Sequence, residues 1–284
     1  MNYESLFSFA VFAEHLSFTH AARALRISQP ALHVQVKKLA AAVGVALYRR
    51  EGRTLVLSEE GRKLATYARE TRARGDGILA ELRNQTARAP VVLASGAGAF
   101  VYLLGGAIRR FPKDKWGLRL LTSSAPAAVV AVREARADLA VAALAVAPND
   151  LHATRLTTVG QHVVLPVSHR LARKRALSAK DLEGEPLVVA PYPSPHREML
   201  TRLLAGVTPT IAVEATGWDT MLHFAKIGVG LAVVNDFCPA PRGMRAIPLE
   251  GAPRIPYFLL ARDVSALGPG QERLFSLLRD TVTG

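Results

Sequence analysis

The stretch SFTHAARALRISQPALHVQVKKLAAAVG, residues 17–44, holds two short amphipathic runs around a polar break. Phe18, Ala21, Ala22 and Leu25 recur at helical spacing, and the break at Arg26 and Ile27 is too short for a loop, so two helices meet at a tight turn. Ser28 is a good N-cap, because its hydroxyl can accept an unpaired backbone N–H of the turn that follows. Pro30 falls within that first turn, where a missing N–H costs little, and the second helix is expected to start at about Gln29. An advance of about 100° per residue puts Leu32, Val36, Leu39 and Val43 on one side and Pro30, His33, Val34 and Lys37 on the other. The first set reads as core. The second is too mixed for ordinary solvated surface, lacks acidic residues and has a valine at its centre, and such a face on the second helix of a helix-turn-helix suits the major groove. Any amphipathic helix pair can carry a similar pattern, so the flanking sequence has to decide.

Residues 46–58, ALYRREGRTLVLS, place Leu47, Arg49, Leu55 and Leu57 around the run Arg50 to Arg53, with Gly52 at the tip. This reads as a hairpin with a basic end. A helix-turn-helix followed closely by a basic hairpin is a winged helix, whose wing can rest on phosphates or insert an arginine into the minor groove. A solvated turn is the plainer alternative for RREGR.

The segments LFSFAVFAEHLSFTHAARAL, ISQPALHVQVKKL and GVALYRREGRTLVLSEEG, with the long helix after them, resemble without gaps the DNA-binding region of the LysR-type transcriptional regulators. His33 and Val34 depart from that family, in which Ser and a basic or polar residue are common at these places. The outward face of the second helix with its N-terminus, and the basic wing, make Ser28, Gln29, Pro30, His33, Val34 and Lys37, with Arg50 and Arg53, the candidate DNA contacts.

From Ser58 to about Arg88 there is no proline, and Ser58 followed by Glu59 and Glu60 is a proper helix start. Leu64, Ala68, Thr71, Gly75, Ile78 and Leu82 recur at steps of four and three, the seam of a helix that packs on another helix. The seam could be covered within its own chain, but its charged flanks suggest a narrow contact strip, and in the resembled family this helix forms the dimer. Gly75 and Gly77 weaken the helix by roughly 1 kcal/mol each against alanine.

After Pro90 the texture changes. Apolar strands VVLAS, LRLLTS, ADLAVAAL, HVVLPV, PLVVAP, TIAVEA, VGLAVVN and PYFLLAR alternate with helical stretches, which indicates parallel α/β domains. The resemblance implies two lobes like those of periplasmic solute-binding proteins, with the chain crossing near residue 160 and returning near 253. The expected fold is thus α+β and multidomain: a winged helix over 1–58, a linker and dimerisation helix over 59–89, and an effector-binding domain over 90–284. Its first lobe would span 90–160 and 254–284, its second 161–253. Ligands in open α/β sheets sit at strand carboxyl ends against helix N-termini. That rule places candidate effector contacts at Ser95 and Ser123 in the first lobe, and at Ser194 and Trp218 in the second. Each of the four could equally be a helix cap or core residue.

The formal net charge of +13 favours a polyanionic partner. The excess is spread along the chain: residues 1–88 hold 14 Lys and Arg against 8 Asp and Glu, the remainder 22 against 15. Charge alone therefore does not locate the DNA-binding part. One cysteine, Cys238, excludes a disulfide framework and Cys-rich zinc sites. The N-terminus has no basic lead and no signal-peptide pattern, and no apolar run is long enough to span a membrane, so a cytoplasmic protein without a membrane partner is expected. SGAGAFV lacks the third glycine of a dinucleotide fingerprint, and no hydrolase, P-loop or metal-ligand motif occurs. An enzyme, a cofactor and a metal are not expected. A solute-binding protein would need export and would lack the wing, and a nucleoid protein would lack the α/β part. The sequence thus leads to a transcriptional regulator, a homodimer or homotetramer, with promoter DNA, a small-molecule effector and RNA polymerase as partners.

Overall fold

Side-chain caps fix the starts of the first three helices. In the computed structural model, which describes residues 2–82 and 89–282, α1 (Tyr3–His15) begins where Asn2 accepts from the Glu4 N–H. Helix α2 (Phe18–Leu25) begins at Ser17, and α3 (Gln29–Val43) at Ser28, whose Oγ accepts from the Ala31 N–H at 3.3 Å. Between α2 and α3 the chain turns through Arg26 at φ 57°. Strands β1 (Tyr48–Glu51) and β2 (Thr54–Leu57) pair antiparallel with Glu51 opposite Thr54, leaving Gly52 and Arg53 as a two-residue loop. Gly52 has φ 60°, the positive angle that a tight hairpin turn requires at this point. Helix α4 (Glu59–Leu82) follows, with Ser58 Oγ accepting from the Gly61 N–H.

The chain divides into two compact units, Met1–Val92 with Pro112–Arg119 and Val130–Asp138, and Leu93–Phe111 with Leu120–Val129 and Leu139–Gly284. In the first, Phe9, Phe12, Ala21, Ala22, Leu32, Val36, Leu39 and Leu47 form one core, with Ile27 of the turn and Tyr48 of the wing packed against it. The seam of α4 begins inside this unit: Leu64 and the fully buried Ala68 pack on Leu6 and Ala10 of α1. At Gly75 an added Cβ would lie 2.7 Å from the Tyr3 hydroxyl, so α1 crowds this position too. The N-terminal half of the strip is therefore covered by its own chain, and the expected helix end at Arg88 lies outside the described residues.

The second unit contains most of two five-stranded sheets. One has the order β4-β3-β5-β12-β6, built from β3 (Val91–Ser95), β4 (Leu118–Thr122), β5 (Leu139–Ala143), β6 (His152–Val159) and β12 (Ile255–Ala261). The other has the order β11-β7-β10-β8-β9, from β7 (Gln161–Pro166), β8 (Pro186–Val189), β9 (Thr210–Glu214), β10 (Leu231–Asn235) and β11 (Met244–Pro248). Helices α5 (Gly105–Arg110), α6 (Ala125–Arg133), α7 (Pro195–Leu203), α8 (Trp218–Lys226) and α9 (Pro269–Val282) complete the fold. The sheets are mixed, which corrects the expectation of parallel ones: β12 runs antiparallel to β5 and β6, and β7 antiparallel to β10 and β11. The cause lies in the two chain crossings, which bring β7 and β12 into the sheets from the far side instead of through a crossover helix. No described helix is long and apolar enough to cross a membrane.

The junction of wing and long helix is sterically tight, because a Cβ on Gly61 would come within 1.8 Å of the Leu47 carbonyl oxygen. Gly61→Ala is expected to destabilise the N-terminal unit by about 1–3 kcal/mol, the usual range for overpacking. Urea unfolding followed by circular dichroism checks this.

Candidate nucleic-acid interface and effector cleft

Burial of Leu32, Val36 and Leu39 sets the rotation of α3 about its own axis, and what faces outward follows from it. Gln29, Pro30, His33, Val34 and Lys37 are all exposed, Val34 at 49%. Ser28 is exposed as well, but its hydroxyl is the cap of α3. The imidazole of His33 leans on the Phe18 ring of α2, with centroids 5.1 Å apart, so it is a braced group rather than a free one. On the wing, Arg50 donates from Nε to the Gly52 carbonyl at 3.1 Å, which orients its guanidinium without neutralising it. Arg53 stands exposed in the loop, whereas Arg49 is paired with Glu51 at 2.7 Å. The outward face of α3 and a cationic wing are thus parts of one rigid module.

The four effector candidates are not equivalent. Ser95 closes β3, is fully buried, and donates its hydroxyl to the Val141 carbonyl at 2.7 Å. Ser123, whose N–H donates to the Ser95 carbonyl, keeps a buried Oγ that no protein group satisfies. Ser194 caps α7, accepting from the Arg197 N–H and donating to the Pro191 carbonyl. Trp218 opens α8 and lies close enough to Gly98 that a Cβ there would sit 1.9 Å from Cδ1. Two of the four residues therefore have hydroxyls committed to the backbone, while Ser123 and Trp218 remain available.

Several residues around them went unread in the sequence. Tyr102, on the π-helical turn Ala99–Leu103, donates to the Asp219 carboxylate of α8. Burial, and then the bond to Asp219, raise the pKa of this phenol. His196, 5% exposed, packs edge-on against Trp218 at 4.8 Å, and neither ring nitrogen has a protein partner. Burial, helped by Arg197, pushes its pKa down to about 4 and keeps it neutral. At the crossing from β6 to β7, the Gly160 N–H donates to Asp236 at 2.7 Å, and Asp236 also meets Arg254 at 3.6 Å. Arg254 in turn donates to Thr158, so both crossings are fastened to one carboxylate. Cys238 is buried, and its thiol is pushed up to about 12 by burial and the nearby Asp219 and Asp236.

A winged helix joined to a two-lobed α/β domain defines a class of DNA-binding transcriptional regulator that carries an effector-binding domain. Residues 3–62 match the bacterial regulatory helix-turn-helix protein, lysR family, and residues 84–283 the LysR substrate binding domain. The chain belongs to the LysR family. It is 27% identical over 272 residues to the RuBisCO operon transcriptional regulator of Allochromatium vinosum, covering 92% of this chain and 90% of that one. In fold it is similar to a single-site variant of full-length OxyR from Pseudomonas aeruginosa, with TM-score 0.74 and 22% identity over 100% of this chain and 98% of that one. It is also similar to full-length CbnR complexed with its target DNA, with TM-score 0.64 and 18% identity over 99% and 100% of the two chains.

Because His196 titrates at about 4 when folded and at its ordinary 6.5 when unfolded, the unfolded chain binds the extra proton first as pH falls. Its neutral burial is free of this penalty above 6.5, and stability is lost on the way down to 4. Between pH 7 and pH 5 the loss is about 2 kcal/mol. Urea unfolding at the two pH values should show this increment in the wild type and its absence in His196→Gln.

Proposed function

We propose that the chain is a homodimeric or homotetrameric regulator that reads a partly palindromic promoter site with the outward face of α3 and responds to a small molecule held between its two α/β lobes. The observation that carries the reading is the exposed, acid-free face Gln29, Pro30, His33, Val34 and Lys37 beside a cationic wing. In this reading Val34 packs on a thymine methyl, His33 reaches a base edge from its brace on Phe18, and Lys37 meets a phosphate. Arg50 and Arg53 of the wing bind phosphate or enter the minor groove, and Ser28 holds the N-terminus of α3 against the backbone.

The working division is a DNA-binding domain over 1–58, a linker helix over 59–89 and an effector domain over 90–284, with lobes 90–160 plus 254–284 and 161–253. Ser123 and Trp218 touch the effector directly, while Ser95 and Ser194 shape the cleft through the backbone they hold. A ligand that binds one lobe arrangement better than another shifts the lobes and with them the paired DNA-binding domains, altering DNA bending or RNA polymerase contact. The site of action is the cytoplasm, where promoter DNA is met, and neither a membrane partner nor catalysis is part of the reading. A thiol-based signal is disfavoured, since Cys238 holds its proton in a buried site.

Two measurements test this. Affinity for a selected duplex should fall steeply between about 50 and 200 mM salt, and Lys37→Ala should weaken all sequences alike while flattening the slope by roughly one unit. A flat salt dependence in the wild type contradicts DNA as the partner. Ser123→Trp should leave affinity for DNA without effector nearly intact and abolish the effector response. Loss of DNA binding in a folded Ser123→Trp protein means that the effector site lies elsewhere.

A further inference from the structure

The hinge between the lobes contains a pair of buried carboxamides that the protein leaves largely unsatisfied. Gln161 opens β7 and Asn235 closes β10, and the two are direct partners in the antiparallel ladder. Directly opposed residues of such a pair project from the same face of the sheet. Val164, Ala232 and Val234, on the alternate positions, pack with Met221, Leu222 and Ala225 of α8. The amides therefore occupy the face turned away from α8, next in the row to the fully buried Val163 and Val233. Each is only 2% exposed. Asn235 donates from Nδ2 to the Tyr257 hydroxyl of β12 at 2.9 Å, so the first lobe reaches the pair. Three atoms are left over: Oε1 and Nε2 of Gln161, and Oδ1 of Asn235.

Buried polar groups are nearly always satisfied, by protein or by a bound molecule such as water, and no protein group satisfies the whole Gln161 amide. The charges nearby do not change its character, because Asp236 is engaged by the Gly160 N–H and Arg254, and Arg254 by Thr158. We propose that Gln161 and Asn235 form a recognition site for an uncharged ligand that presents an H–N–C=O edge, a primary carboxamide, lactam or ureide. This inference rests on the cleft reading above and names the chemistry that the cleft selects.

Such a ligand matches the pair donor for acceptor. The Gln161 amide sets a donor and an acceptor side by side, and a cis H–N–C=O edge answers both at once. Exchanging the oxygen and nitrogen of Gln161 leaves this pairing intact. A second N–H, as in a primary amide, reaches Asn235 Oδ1. A carboxylate has only acceptors, so it would set negative charge against two amide oxygens with Asp236 alongside. The Asn235–Tyr257 bond ties the pair to β12 of the first lobe, so a ligand that competes for these amides acts on a contact between the lobes.

Thermal unfolding of the full chain tests the assignment with butyramide and 2-piperidone as probes and butyrate as the charged counterpart. Both amides should raise the melting temperature of the wild type by a few degrees, and butyrate should leave it unchanged. Gln161→Met should melt at the wild-type temperature or higher without probe, since it removes an unsatisfied amide, and should lose the shift with both probes. Asn235→Leu, which also removes the donor to Tyr257, should keep the 2-piperidone shift and lose part of the butyramide shift. A lower melting temperature in unliganded Gln161→Met shows a structural amide and overturns the assignment. So does an amide shift that persists in Gln161→Met, or no amide shift in the wild type. A butyrate shift that survives in Gln161→Met but vanishes in Ser123→Trp overturns the amide assignment and leaves the cleft reading standing.

Discussion

Helix α3 has two faces and only one of them is free. Leu32, Val36 and Leu39 are buried against Phe9, Phe12, Ala21, Ala22 and Leu47. Burial of such side chains contributes about 1.5–3 kcal/mol each. Rotating the helix to present another face would forfeit all three. The Ser28 cap and the turn through Arg26 fix where the helix starts, so Pro30, Val34 and Lys37 are displayed by packing decisions made on the opposite side. The wing depends on the same core, since Leu47 and Tyr48 belong to it, and Gly61 lets α4 come close enough to close it. DNA recognition in this chain is therefore a consequence of core packing.

The effector domain obeys a different constraint. Two sheets share a chain that crosses between them twice, and Asp236 holds both crossings through Gly160 and Arg254. Away from the hinge, Trp218 rests on Gly98 and Tyr102 donates to Asp219. Those two contacts join the lobes at a second place, apart from the crossings. On the proposed reading a molecule held between the lobes exchanges with such groups, and that exchange gives it different affinity for different lobe arrangements.

The winged helix was legible because its signals are local. Helical spacing, the Ser28 cap, Pro30 in the first turn and Gly52 at the hairpin tip all act within a few residues. The effector domain was legible only in outline. Strand β6, HATRLTTV, carries too many polar residues to announce itself, and β11 is a short strand at a sheet edge. Antiparallel insertion of β7 and β12 depends on where the chain crosses, which no short window records. Ser95 and Ser194 looked like ligand groups because a serine after a strand serves equally well as a cap, and here each hydroxyl is spent on a backbone carbonyl. Gln161 and Asn235 were invisible for the opposite reason: each is a polar residue at the end of a largely apolar strand, and only their register brings them together. The α4 seam announced a helix packed on another helix, but its pattern does not say that α1 covers Leu64 and Ala68.

On the proposed reading, the packed orientation of α3 aims Val34 at a base. Selection from a randomised duplex pool, carried out in parallel with the wild type and Val34→Arg, addresses it most directly. If Val34 sits on a thymine methyl, the two proteins should return sites that differ at one position in each half-site, because a good base contact is worth about 1–3 kcal/mol of discrimination. Identical sites from both proteins, with the variant folded and bound as tightly as the wild type, would contradict the orientation and place another face of the helix in the groove.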